Sequence, residues 1–151
     1  MPVTQTEFDT ILADASKRVV GDLYWREDDD HSPAFEFGAE VESEAGYPLY
    51  VKGWLNRLAG KLSYTVIHRA AGRIYALDLG ADHHNPTCQR VGEKHKHSWT
   101  SQYADKLAYV PADVTAGPDN PVAAWRQFCT EATIRHEGAL HPPPPMHEEP
   151  L

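Results

Sequence analysis

Between Phe35 and Leu79 the chain runs through four strand-like segments whose links are too short for anything but antiparallel neighbours. Phe35, Phe37, Ala39 and Val41 alternate with Glu36, Glu40 and Glu42, which is the period of a half-buried strand. Segments 49–56, 61–69 and 73–79 follow, separated only by 57–60 and 70–72, and each of these links contains glycine. Parallel neighbours need a crossover of a dozen or more residues, so the order along the chain dictates a meander.

The flanks read as helices. Thr4 and Glu7 fit a capping box, and Phe8, Ile11, Leu12, Ala15 and Val19 recur at helical spacing up to Gly21. A short strand at 23–26 and an acidic loop at 27–33 lead into the meander. Near the other end Asn120 caps a second helix with Pro121 in its first turn. Val122, Trp125, Phe128, Cys129 and Ala132 form its apolar stripe, and Gly138 closes it. The expected fold is α+β: an antiparallel β-meander of four to six strands with an N-terminal and a C-terminal helix packed on one face. Its core should hold Phe8, Ile11, Leu12, Phe35, Phe37, Leu49, Val51, Leu62, Val66, Ile74, Trp125 and Phe128. At 151 residues the chain reads as one domain over 1–140. Residues 141–151 form a Pro-rich tail, expected to be extended or disordered and to add little stability.

The first residues carry no apolar signal core, and no apolar run is long enough for a membrane span. Cys88 lies in a polar loop and Cys129 on a helix stripe. Two thiols in such unlike contexts point to a reducing, cytoplasmic setting, although a single bridge between them stays open. The net charge of −8 is unevenly spread: −9 over residues 1–44, +5 over 45–106 and −4 over 107–151. Such blocks occur on ordinary solvated faces; here the central block also offers a basic surface to a polyanion, with acidic segments covering it.

Chemistry-bearing residues concentrate at 78–99, DLGADHHNPTCQRVGEKHKHSW, where an apolar strand gives way to polar, irregular chain. His95 and His97 are two apart, so on a strand both imidazoles reach one face. Together with His83, His84 and Asp78 they could supply a general acid, a general base and a tautomer-fixing carboxylate. Arg90, Lys94 and Lys96 would then stabilise charge on a phosphoryl oxygen. The same His95 and His97 are the natural zinc ligands if a metal binds, since neutral imidazole suits zinc while magnesium and calcium prefer oxygen. The spacing matches no compact zinc motif, and histidines that merely tie down a loop have the same appearance.

A second constellation lies along the meander. Alternation sets Tyr50, Lys52, Trp54, Ser63, Thr65, Arg69, Arg73 and Tyr75 on the face away from Leu49 and Val51. Aromatic rings interleaved with bases on a sheet suit single-stranded nucleic acid, because every base offers a π-face and every phosphate a charge. Lys52, Trp54, Arg69, Arg73 and Tyr75 are therefore candidate substrate-binding residues. Ile67 and Leu77 on that face argue instead for cover by protein. His68, Trp125, Phe128 and Cys129 read as structural.

The run LDLGADHHNPTCQRVGEKHKH, with the helix after Asn120, resembles small bacterial proteins of unassigned function. Those pair a strand ending in Leu-Asp-x-Gly with an Asn-Pro turn and a Gly-x-x-His-x-His-like segment. The resemblance covers about half the chain and implies a bacterial, cytoplasmic context. Two functional classes follow: a nucleic-acid-binding phosphodiesterase or ribonuclease built on the histidines, and a non-enzymatic module, antitoxin-like or regulatory, that contacts a protein partner or a second copy. A zinc-binding protein is a third.

Overall fold

The computed structural model describes residues 4–80 and 116–145, and the backbone alone of the short strands at 83–84, 90–91, 94–98 and 108–109. Helix α1 (Gln5–Ala13) is followed by β1 (Arg18–Val20), β2 (Arg26–Glu27), β3 (Phe35–Val41), β4 (Leu49–Asn56), β5 (Lys61–His68) and β6 (Gly72–Leu79). Short strands β7 (His83–His84), β8 (Arg90–Val91), β9 (Lys94–Ser98) and β10 (Ala108–Tyr109) precede α2 (Pro121–Glu131) and β11 (Arg135–Glu137). The main sheet has the order β10-β9-β6-β5-β4-β3-β2, every pair antiparallel. The fold is α+β, with the five consecutive strands β2 to β6 forming the expected meander.

Both helices lie on one face of this sheet. Phe8 and Ile11 of α1 meet Leu49, Val66 and Ile74, and Trp125 and Phe128 of α2 meet Phe37, Tyr64 and Tyr75. Of the expected core, Leu12 and Phe35 are half-buried and the rest are buried. Phe37 lies across Gly53, its cross-strand partner, so a Cβ at 53 would collide with the ring. Tyr64, fully buried, donates its hydroxyl to the Pro121 carbonyl at 2.5 Å and ties β5 to the start of α2.

Each helix is shorter than its apolar periodicity suggests. The Asp14 carboxylate accepts from the Ser16 amide at 2.8 Å, a local turn that competes with the next helical bond. The buried Lys17 ammonium then caps the carbonyls of Ile11 and Leu12 at 2.6 and 2.9 Å. Burial lowers the Lys17 pKa to about 8, against the pull of Asp14. Val19, expected on the helix, is a fully buried strand residue. Helix α2 stops at Glu131 because Thr133 takes a φ of +57° and the Ile134 amide returns to the Cys129 carbonyl at 2.8 Å. Residues 135–137 therefore leave the helix and pair in parallel with β1.

The described residues around the start of the Pro-rich tail pack against the rest of the fold. Leu140 is buried and bridges Leu23, and the His141 amide donates to the Leu23 carbonyl at 2.9 Å. The His141 ring stacks on Tyr24 at 4.3 Å and bonds Asp22 at 3.0 Å. That bond, with the Ala139 amide, holds the Asp22 carboxyl below its usual range. Arg57 donates to the Pro144 carbonyl at 2.6 Å. Proline has no backbone N–H to donate, and here the Pro144 carbonyl serves as the acceptor instead.

His68 closes the β5–β6 turn, its Nδ1 accepting from the amides of Ala70 and Ala71 at 3.1 and 3.2 Å. That role needs a neutral ring, and burial lowers the His68 pKa, opposed by the nearby Glu7. As pH falls below the ordinary histidine value of about 6.5, the unfolded chain takes up this proton first, so stability drops until the folded-state pKa is passed. An NMR titration of His68 is expected to show a midpoint below 6.5. A midpoint above that value would mean that the turn does not hold the ring neutral.

Candidate functional site

The helix-free face of the sheet is built in cross-strand rows. One row runs Glu36–Trp54–Ser63–Asp78–His95, and the next Gly38–Lys52–Thr65–Ala76–His97. A third carries Glu40, Tyr50, Ile67 and Arg73. Directly opposed residues in an antiparallel pair stand about 4.5–5.5 Å apart at Cα, so the register alone brings His95 to Asp78. His97 follows one row on.

A β-bulge decides which β6 residues share this face. Val66 pairs with Tyr75 and Ile67 with Arg73, leaving Ile74 as the extra residue. The alternation therefore shifts by one at that point. Arg73 stays with Tyr50 and Ile67, whereas Ile74 and Tyr75 both turn into the core. Tyr75 is only 2% exposed and packs against Phe128, so its expected place on the helix-free face is wrong. Leu77 goes into the core with it, while Ala76 and the half-buried Asp78 take the other face.

The bases on this face are not bare. Lys52 lies 4.0 Å from Glu36, which Arg26 also approaches at 3.6 Å. Arg69 pairs with Glu40 and lies over the Tyr50 ring at 5.1 Å. The Trp54 indole donates to Asp28 at 3.3 Å, and Asp28 also bonds His31 at 2.9 Å. Burial pushes the Asp28 carboxyl up, but these bonds prevail and hold it below the ordinary value. Two bases of the central block, Lys52 and Arg69, thus meet carboxylates from the acidic N-terminal block. These exposed pairs are weak, each worth about 0–1 kcal/mol, and a polyanion can compete for the cations.

The remaining expected site residues follow β6 along the chain, in a separate two-stranded sheet (β7 and β8) and in β9 of the main sheet. His83 and His84 form β7 and pair with Val91 and Arg90 of β8. Lys94 and Lys96 register with Leu79 and Leu77, rows that alternate with those of His95 and His97. The side chains of His83, His84, Arg90, Lys94, His95, Lys96 and His97 lie outside the described residues, as do Asp82, Asn85, Pro86 and Cys88 entirely. Among the described residues, no cluster of three or more His, Cys, Asp or Glu side chains is arranged to hold a metal. Cys129 is buried, free and pushed up to about 12 by that burial, which makes it an inert thiol.

Sequence reasoning missed a groove of about 560 Å³ where β2 and β3 begin and β4 ends. Trp25, Phe35, Arg57 and Leu58 line it, together with Asp28 and Pro144. The one available signal was the pairing of an acidic run at 27–30 with a distant Pro-Pro-Pro-Pro run, and nothing in either announces the other.

Among the described residues no helix is long and apolar enough to cross a membrane. No curated protein and no solved structure matches the chain. Residues 3–134, nearly all of the folded part, match a family model. The chain belongs to that family, a family of unknown function, DUF6978.

Proposed function

We propose that the protein acts on single-stranded nucleic acid at the helix-free face, as a phosphodiesterase or ribonuclease. The observation that carries this reading is the β6–β9 register, which sets Asp78 opposite His95 with His97 in the adjoining row. A carboxylate beside an imidazole orients its tautomer, and a second imidazole completes an acid–base pair. Lys52, Trp54, Arg69 and Arg73 extend from that corner as a track of charge and ring surface for the strand. His83, His84, Arg90, Lys94 and Lys96 would complete the site from the following segment. Should the reaction use a metal, His95 and His97 would hold zinc, with Asp78 the carboxylate in register with His95.

The test is an RNA and DNA panel followed by gel, with and without added zinc. Single-stranded RNA is expected to bind and to be cleaved, with affinity falling steeply as salt rises, because basic contacts release counterions from phosphates. Removing Lys52, Arg69 and Arg73 together should lower both affinity and salt slope. His95→Ala and His97→Ala should abolish cleavage while leaving binding nearly intact, since acid–base residues act chiefly in the transition state. Cleavage that survives both histidine changes would place the chemistry elsewhere.

A second reading, a non-enzymatic protein-interaction or antitoxin-like regulatory module, is favoured by the ion pairs of Lys52 and Arg69 with β3, which offset the charge a polyanion would seek. Under it the same face meets a protein partner or a second copy. Salt-insensitive behaviour toward every nucleic acid in the panel would select it.

A further inference from the structure

We propose that the groove at the β2–β3 end of the molecule binds a proline-rich peptide segment carrying a basic residue, supplied by a partner protein. The site is separate from the chemistry on the helix-free face and does not depend on it. Its volume of about 560 Å³ lies within the range of ligand-binding clefts. Its walls are the aromatic rings of Trp25 and Phe35, the ring of Pro33, and Leu58. Leu58 is 72% exposed, an apolar side chain left in solvent at the groove's lip.

The rim already shows how such a segment is gripped. The chain's own Pro144 and Pro145 form one wall, and Arg57 donates to the Pro144 carbonyl at 2.6 Å with its guanidinium over the Phe35 ring at 5.3 Å. Polyproline chains make no internal hydrogen bonds, so their carbonyls are free for donors of this kind, and their rings pack on aromatic walls. Trp25 supplies a further aromatic wall. It is 6% exposed, and its indole N–H has no acceptor among the described residues, whereas those of Trp54 and Trp125 are bonded to Asp28 and His136. That nitrogen is itself buried, so the Trp25 indole serves as a reporter of the groove and not as a donor to the peptide.

Charge selects the second half of the ligand. Glu27, Asp28 and Asp29 line the groove, with Arg57 the one cation among the described lining residues. Arg57 is engaged by Pro144 and Phe35, and Asp28 by His31 and Trp54, so the exposed Glu27 and Asp29 remain to meet an incoming lysine or arginine. An acidic segment would be repelled.

The experiment uses the full chain, labelled with nitrogen-15, and a peptide of repeated Pro-Pro-Arg triplets. One control replaces arginine by glutamate and another replaces proline by alanine. The alanine control matters because a chain of net charge −8 attracts any basic peptide. The Trp25 indole resonance, assigned with Trp25→Phe, is expected to shift saturably with the first peptide. Both controls should bind at least about tenfold more weakly, the scale of losing an anchor contact. Leu58→Ser, at an exposed site where folding is not at risk, should also weaken binding about tenfold. Glu27→Gln with Asp29→Asn should flatten its salt dependence. The proposal is overturned by equal affinity for either control, by binding that leaves the Trp25 indole unmoved, or by binding indifferent to Leu58→Ser.

Discussion

Trp125→Ala is expected to lose about 3–5 kcal/mol of folding stability, the usual cost of removing a buried indole and leaving its cavity. Trp125 is 2% exposed and stands where both layers meet. Its ring meets Phe37 edge-on at 5.4 Å and Tyr64 at 5.2 Å, and Phe128 of its own helix lies 6.0 Å away. Its N–H donates to His136 Nδ1 at 3.0 Å, which leaves the proton on Nε2, and that donates to the Gly21 carbonyl at 2.8 Å. One side chain thus holds α2 on the sheet and steadies the β1–β11 pair. Trp125→Phe keeps most of the burial and breaks only the relay, so it should cost much less, with about 1 kcal/mol for the hydrogen bond itself. Urea unfolding of both variants measures the difference. A loss below about 1 kcal/mol for the alanine variant, the scale of a surface change, would mean that α2 does not seal the sheet.

The meander was legible because its information is local. Period-two alternation and three- or four-residue links are read from neighbouring positions, and they dictate both pairing and order. The ends of the helices were not, because a stronger signal masked them. Val19 continues the apolar period of α1, yet the Asp14–Ser16 turn and the Lys17 cap stop the helix six residues earlier. Gly138 looked like a helix stop, but Thr133 had already reversed the chain. The β1–β11 pair joins residues more than a hundred positions apart, and short strands of three residues carry no pattern by which to find each other.

The site divides in the same way. Lys52, Trp54 and Arg73 lie on the expected face because strict alternation holds up to them. Tyr75 does not, since a single extra residue at Ile74 reverses the alternation, and no composition at 73–75 marks a bulge. The same reversal carries Asp78 onto the histidine rows. The carboxylate and the histidines were each visible in the sequence; that Asp78 stands in register with His95 depends on the pairing of β6 with β9, which is a tertiary fact. The groove lay wholly beyond reach, because its defining contact joins Arg57 to Pro144 across 87 positions.

Under the proposed function, Asp78→Asn is expected to reduce RNA cleavage by about 10²–10⁴-fold, the scale of a disabled acid–base group, with little change in RNA affinity. The amide keeps the size of the carboxylate and loses its charge. It therefore ceases to stabilise an imidazolium or to fix which ring nitrogen carries the proton. Because Asp78 would act through His95, it is a positioning residue, and the telling measurement is the pH–rate profile. The limb set by the histidine should move to lower pH in Asp78→Asn, since a neighbouring carboxylate raises an imidazole's pKa and its neutralisation removes that support. Ser63→Ala is the control: Ser63 faces Asp78 across the β5–β6 ladder in the same row, and a role in packing alone would make the two changes equivalent. Equal small losses in both variants with an unshifted profile would take Asp78 out of the chemistry. A shifted profile confined to Asp78→Asn ties the carboxylate to the imidazole that the register sets opposite it.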